Sequence, residues 1–465
     1  MKINTLTYPL LLLLMLLWAS GCGNLYTGEG MEPPIVNPDP TDPEDPEDPM
    51  EEDPSKTEEM PIILSFTDPS YNSFGTPKTR GLGPFENDPN DPTVGREVWE
   101  NAIFYVYAFR SDDPQMSYEV QSKDDKETCL IDGSSESEPA TYNGQYHGRK
   151  MTLNKDDASA IFNWKDSKQN VPYYSSLNQT RKFNFFAYYL DDAEVTGMTR
   201  NLDGIYIDFK INGTQDVLCA AARFTQEQEE NASKVQNASE RQNLQNYRYS
   251  TYTGHRNYMP VFTFPHNMTL LCVQAYGGEL AADSIFIEGV EVVTKYKGRL
   301  TAAAKDTTKV GITFADETTK LPLLEKDGTV MKEDTIHFDD SDYLCDAEGN
   351  VIRDENKNPV GLNPAKGVYD RKPTPLGGGK MLTVPAEMYE VYFHLRQHYT
   401  DGRNPERYTA YYPVRVAGGF QPGTKYTLRV AVYGLQKIEI KVIITGWVDG
   451  GNADYDEDKD NDRYN

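Results

Sequence analysis

Cysteine is scarce in this chain, with five residues in 465. No two of them stand in a C-x-x-C pair, which removes the usual spacing for structural zinc and for thiol exchange. Histidine is almost as rare, at six residues. His394 and His398 are four apart, but no H-E-x-x-H helix surrounds them. Basic side chains are in deficit: 46 Lys and Arg face 72 Asp and Glu, a net charge of −26. Phosphate binding needs clustered cations, so the charge argues against nucleic acid as a partner. It argues equally against a basic surface for anionic lipid. The chain also lacks a G-x-S-x-G elbow and a P-loop. The alternating Asp454, Asp456, Asp458, Asp460 and Asp462 have neither the turn glycine nor the closing glutamate of an EF-hand. The expectation is no catalytic residue, no metal and no cofactor. Past the N-terminus no run of 18 apolar residues occurs, so no membrane-spanning helix is expected.

What the chain does have begins at its start. Lys2 is followed by an unbroken apolar run from Leu10 to Trp18, closed by Ala19-Ser20-Gly21-Cys22. A basic start, a short apolar stretch and small residues before a cleavage point make a secretory signal. A cysteine at that point makes it a lipoprotein signal, so Cys22 is read as the lipidation site and residues 1–21 as the signal peptide. Ala19 stands where leucine is usual.

Residues 22–60 read as a linker. Between Glu29 and Met60 lie eight prolines and thirteen acidic residues against one Lys56. Such a segment repels itself and stays extended. At ~3.1 Å per residue its reach is on the order of 90 Å.

The body is patterned for strands. Tyrosine is abundant, at 31 residues, and aromatics make up 11%, which suits pleated, half-buried surfaces. Ile62, Ile63, Leu64 and Phe66 form the first strand signal. Asp68 to Arg96 is rich in turn residues and carries Thr79-Arg80-Gly81. Ala102–Phe109 and Phe183–Tyr189 are apolar on both faces and are expected to be central strands. Gln215–Ala220, Pro260–His266, Leu270–Val273 and Ser284–Ile287 continue the pattern. Tyr389–Leu395, Tyr411–Val414, Tyr426–Val432 and Ile438–Ile444 complete it. Arg223–His255 is polar and reads as a helix or a surface insertion. Asp340–Lys380 reads as a long loop with a hairpin tip at Asp346–Asn350. Many strands without βαβ spacing argue for an all-β antiparallel fold. The length allows an N-terminal β-sandwich over 61–258, a C-terminal one over 259–449 and an acidic, disordered tail over 450–465. Cys219 and Cys272 sit in apolar runs and read as buried free thiols.

Five stretches together resemble the fimbrillin-like lipoproteins of Bacteroidales, the subunits of type V pili. They are the lipobox at Cys22; the opening strand with Thr79-Arg80-Gly81; Asn184–Tyr189 with Gln215–Leu218; Phe264-Pro265-His266 with Leu270-Leu271; and Phe420–Tyr426 with Ile443–Trp447. The resemblance implies two tandem transthyretin-like sandwiches and an outer-membrane lipoprotein at the cell surface. It implies proteolysis between Arg80 and Gly81, with Arg96 as the fallback. It implies partners among other pilus subunits, joined by exchange of the Ile62–Phe66 strand, and a host or bacterial surface ligand. The long acidic linker, and the absence of an extra strand after Trp447, lead us to expect an anchor, accessory or tip subunit. The alternative from another class is a surface glycan-binding lipoprotein of a polysaccharide-uptake system, using exposed tyrosines.

Overall fold

A computed structural model describes residues 60–67, 102–153, 162–164, 171–175, 178–325, 328–399, 403–446 and 452–453. The expected signal peptide, most of the linker, Cys22, Arg80, Gly81 and Arg96 lie outside them. In chain order the strands are β1 (Ser65–Thr67), β2 (Phe104–Arg110), β3 (Cys129–Ile131), β4 (Thr141–Tyr142), β5 (Gln145–Tyr146), β6 (Arg149–Leu153), β7 (Phe162–Trp164), β8 (Phe183–Tyr189), β9 (Glu194–Arg200), β10 (Gly204–Lys210) and β11 (Leu218–Ala221). Three helices follow: α1 (Gln226–Lys234), α2 (Ala238–Asn246) and α3 (Thr251–Gly254). Then come β12 (Val261–Thr263), β13 (Thr269–Gly277), β14 (Ile285–Lys295), β15 (Lys297–Ala304), β16 (Gly311–Phe314), β17 (Thr318–Pro322) and β18 (Asp334–Thr335). The chain continues with β19 (Thr374–Thr383), β20 (Ala386–Gln397), β21 (Glu406–Phe420), β22 (Thr424–Gly434), β23 (Lys437–Gly446) and β24 (Asn452–Ala453).

The fold is all-β, and its strands gather into four larger sheets. One runs β11-β8-β2-β6-β7, with β3 also on β2, and faces a second, β16-β15-β10-β9. A third, β19-β13-β22-β23-β24, faces the fourth, β17-β14-β20-β21, with β18 beside β14. Pairing is antiparallel except for β1 with β12 and β13 with β22.

β2 and β8 are central, as their two apolar faces require. One face of β2 and β8 puts Tyr107, Phe109, Phe186 and Tyr188 into the core between the first two sheets. The other puts Phe104, Val106, Phe185 and Ala187 into a separate core. A third layer covers that outer face. It is built from Ile62, Leu64 and Phe66, from Phe224 and Tyr249 of the helical insertion, and from Phe262 and Phe264.

The two sandwiches interlock. β15 pairs with β10 and β16 with β15, so 297–314 completes a sheet begun by residues 194–210. A boundary at 258/259 therefore does not separate every strand. Alternation along β13 sends Leu270 and Cys272 to one core and Leu271, Val273 and Ala275 to the other. From Thr57 onward the chain forms one compact unit.

Three local features, the first an expected alternative and the other two differences, have simple causes. Arg223–His255 is helical because caps are in place: Thr225 and Ser250 close capping boxes, and the Asn237 side chain accepts the N–H groups of Ser239 and Glu240. The expected loop over 340–380 ends at 373. Thr374–Thr383 is an edge strand in which Pro375 and the Gly377–Gly379 run hid the pattern. At the start of the expected disordered tail, Asn452 and Ala453 pair with Thr445 and Ile444.

Candidate functional site

The segment 60–67 is held in a slot by alternate side chains. Ile62 and Leu64 are 1% exposed and Phe66 9%, whereas Ile63 is 40% exposed. This period of two is what a strand with one buried face dictates. The backbone is bonded on two sides. The Ile62 N–H donates to the Pro172 carbonyl at 2.8 Å, and the Tyr174 N–H to the Met60 carbonyl at 3.0 Å. The indole Nε1–H of Trp164 donates to the Ile62 carbonyl at 3.2 Å. The Ser65 N–H donates to the Pro260 carbonyl at 3.1 Å. Ser65, Phe66 and Thr67 then pair in parallel with Val261, Phe262 and Thr263.

Gly254 is needed where Met60 enters. A Cβ there would lie 2.9 Å from the Met60 Cγ. Under the segment lie Tyr174 and Tyr249, each edge-on to Phe185 with ring centroids 6.1 and 5.9 Å away. Both phenols are pushed above their ordinary pKa by burial. Neither hydroxyl has a hydrogen-bond partner among the described residues. Burying three large apolar side chains stabilises by about 5–9 kcal/mol. That is comparable with a whole domain's margin of ~5–15 kcal/mol.

Two of the motifs meet in space. His266 Nδ1–H donates to Asp216 Oδ2 at 2.6 Å, which ties Phe264-Pro265-His266 to Gln215-Asp216-Val217-Leu218. The other histidine pair does not converge. His394 bonds Glu291 and Thr409, while His398 packs edge-on against Phe286. Among the described residues no group of three His, Cys, Asp or Glu could hold a metal ion, and no helix is long and apolar enough to cross a membrane.

Cys129, Cys219 and Cys272 are buried and free, and Cys345 is free and partly exposed. Burial pushes the Cys219 thiol up to about 12, so it packs as a small hydrophobe and carries no thiolate near neutrality.

The outer face of the fourth sheet carries an aromatic pair, one ring of it exposed. Tyr392 and Tyr411 are cross-strand partners with centroids 5.2 Å apart, and Tyr411 is 48% exposed. Reading the sequence alone did not reveal the partners of the first strand, Pro172–Tyr174 and Pro260–Thr263. The aromatic doublet Tyr173-Tyr174 is the local signal that could have pointed to the first of them.

No family model matches the chain, and no curated relative matches it. Solved structures do. A candidate cell-adhesion protein from Bacteroides uniformis is similar at 11% identity and TM-score 0.38, over 84% of this chain and 99% of that one. Another from Bacteroides ovatus is similar at 13% identity and TM-score 0.39, over 85% and 100%. The fimbrial anchor protein Mfa2 from Porphyromonas gingivalis is similar at 10% identity and TM-score 0.29, over 83% and 98%.

Proposed function

We propose that this chain is a structural, non-catalytic component of a cell-surface pilus, an anchor, accessory or tip subunit tethered through lipid on Cys22 and joined to other subunits by strand exchange. The observation that carries the reading is the slot around 60–67. A short segment at the edge of the body fills an apolar channel with Ile62, Leu64 and Phe66 and makes main-chain bonds to both sides. Removing it would expose both an apolar channel and unpaired backbone, and a strand from another chain satisfies both at once. Cutting between Arg80 and Gly81, or after Arg96, would separate that segment covalently from everything after it. The lipobox at Cys22 and the motif order that resembles the fimbrillin-like family support the same reading. Two interlocked sandwiches give the rigid body such a subunit needs.

Limited trypsin digestion followed by gel filtration tests it. The expected product is a body that keeps residues 60–67 bound without a covalent link, or that oligomerises when they are lost. A stable monomer that has lost the segment overturns strand exchange. Separately, Cys22→Ala is expected to move the protein out of the membrane fraction.

A second reading, a surface glycan-binding lipoprotein, draws on the Tyr392–Tyr411 pair, since the exposed Tyr411 ring could stack against a sugar. Binding to a polysaccharide panel that Tyr411→Ala abolishes would favour it.

A further inference from the structure

Away from the first strand, one cleft of about 350 Å³ lies between the start of β2 and the turn after β8. That is the lower end of ordinary small-ligand sites. Its polar lining comes from Tyr105, His147, Tyr189, Asp191 and Asp192.

The turn is unusual. The Ala193 N–H donates to the Leu190 carbonyl at 2.9 Å, and the two central residues have φ of 48° at Asp191 and 58° at Asp192. Consecutive positive φ values favour Asn-Gly, and two aspartates hold them at a conformational cost. Asp191 is fastened, accepting the Tyr189 hydroxyl at 2.6 Å and the Asp216 N–H at 2.8 Å. Asp192 is exposed, and its carboxylate has no partner among the described residues.

His147 is the second observation. It is 92% buried, being 8% exposed. The Tyr188 hydroxyl donates its single proton to the His147 carbonyl at 2.5 Å. At 3.0 Å, Nδ1–H must therefore be the donor to that hydroxyl. Nε2 is left with a lone pair and no partner among the described residues. Burial lowers the His147 pKa, which keeps the ring neutral. The Tyr105 ring lies 5.4 Å from the imidazole, and burial first, then the nearby Glu136 and Asp192 carboxylates, push its phenol above the ordinary pKa. Apart from the tyrosine hydroxyls, the polar side chains lining the cleft offer acceptors only, in a negative field beside an aromatic face.

We propose that this cleft binds the guanidinium or primary ammonium end of a basic side chain. Asp192 is its counter-ion, His147 Nε2 accepts one N–H, and the Tyr105 ring covers the cation. The site does not depend on strand exchange, so it stands or falls separately from the pilus reading.

The test is saturation-transfer NMR and calorimetry on the full chain, with N-acetyl-arginine amide, methylguanidinium and n-butylammonium as probes and methyl glucoside as the neutral control. All three cations are expected to bind and the glucoside is not. Equal affinity of methylguanidinium and the arginine amide means the head group alone is read, and a tighter amide means the side chain is read with its backbone. Binding should weaken as salt rises from about 20 to about 200 mM, as screening requires. Asp192→Asn keeps a residue that tolerates positive φ and removes the charge. It is expected to cost about tenfold in affinity, in line with a lost charge-assisted bond. His147→Asn keeps a donor for Tyr188 and removes Nε2, with a similar loss. The absence of cation binding, binding of methyl glucoside as tight as that of the cations, or affinities that neither variant changes would overturn the site.

Discussion

His266 donates its Nδ1–H to Asp216 at 2.6 Å, with side chains only 8% and 1% exposed. This bond fastens the approach to β11 to the segment that leads into β13. The second carboxylate oxygen, Oδ1, has no partner among the described residues, so His266 is what compensates the buried acid. Removing one partner of a buried pair costs far more than the pair itself contributes. His266→Ala is expected to destabilise by about 3 kcal/mol, whereas Asp216→Asn, which leaves no buried carboxylate, should cost less. Urea unfolding of both variants and of the double variant measures the coupling, and additive effects would show that the bond has no energetic content.

Asp191 makes stability depend on pH. Burial raises its carboxyl from 3.8 to about 6. The folded chain therefore holds a proton at pH values where the unfolded chain has lost it. The resulting stabilisation is complete below about pH 4 and is lost as pH rises through about 6. Its size is on the order of 3 kcal/mol. Acidification from pH 7 to pH 5 should raise Tm through this group. In Asp191→Asn that component of the pH dependence should vanish, and Tm at pH 7 should rise. A variant with an unchanged slope between pH 4 and 6 would refute the assignment.

The two unpartnered phenols beneath the first strand give a contrast. Tyr174 and Tyr249 bury hydroxyls with nothing to bond. Tyr389 buries one that donates to the Val384 carbonyl at 2.6 Å. Tyr174→Phe and Tyr249→Phe are expected to be neutral or stabilising by up to about 1 kcal/mol, and Tyr389→Phe to destabilise by about 1 kcal/mol. Thermal unfolding of the three variants checks the ordering.

Much of the framework was legible in the residues. The apolar faces of Phe104–Phe109 and Phe183–Tyr189 identified central strands because a strand's side chains alternate regardless of context. The same alternation says which side chains are inside but not which sheet they join. So nothing local revealed that β15 and β16 cross to the first sandwich, or that β1 pairs in parallel with β12. Those choices are made by long-range packing. Turn chemistry was half read. Asp346–Asn350 reads as a hairpin tip, and Asp354–Asn358 repeats its main pattern: each Asp side chain accepts the N–H two and four residues on. Lys357 occupies the left-handed position that Gly349 fills in the first copy, with φ of 68° and 88°. The site's own partners, Pro172–Tyr174 and Pro260–Thr263, belong to the same long-range class. The strained Asp191-Asp192 turn is different, because an Asp-Asp pair carries no signature of positive φ in its sequence.

The first strand itself supplies the most direct prediction. Leu64 and Ile63 are neighbours of nearly equal apolar content on opposite sides of the backbone, one buried in the slot and one 40% exposed. Leu64→Ala removes buried methyl groups and leaves a cavity in the core that Leu64 shares with Phe104 and Phe262, so a loss of about 2–4 kcal/mol is expected. Ile63→Ala removes side-chain atoms that are already partly in water and should cost less than about 1 kcal/mol. The two variants also separate local from global effects. If the segment is a separable strand, Leu64→Ala should speed hydrogen exchange at Ile62, Ser65 and Tyr174, whose N–H groups hold it, before it affects Val106 or Phe186 in the central strands. Exchange that accelerates everywhere together would mean that the segment is an integral part of one cooperative core, and that no groove opens when it leaves.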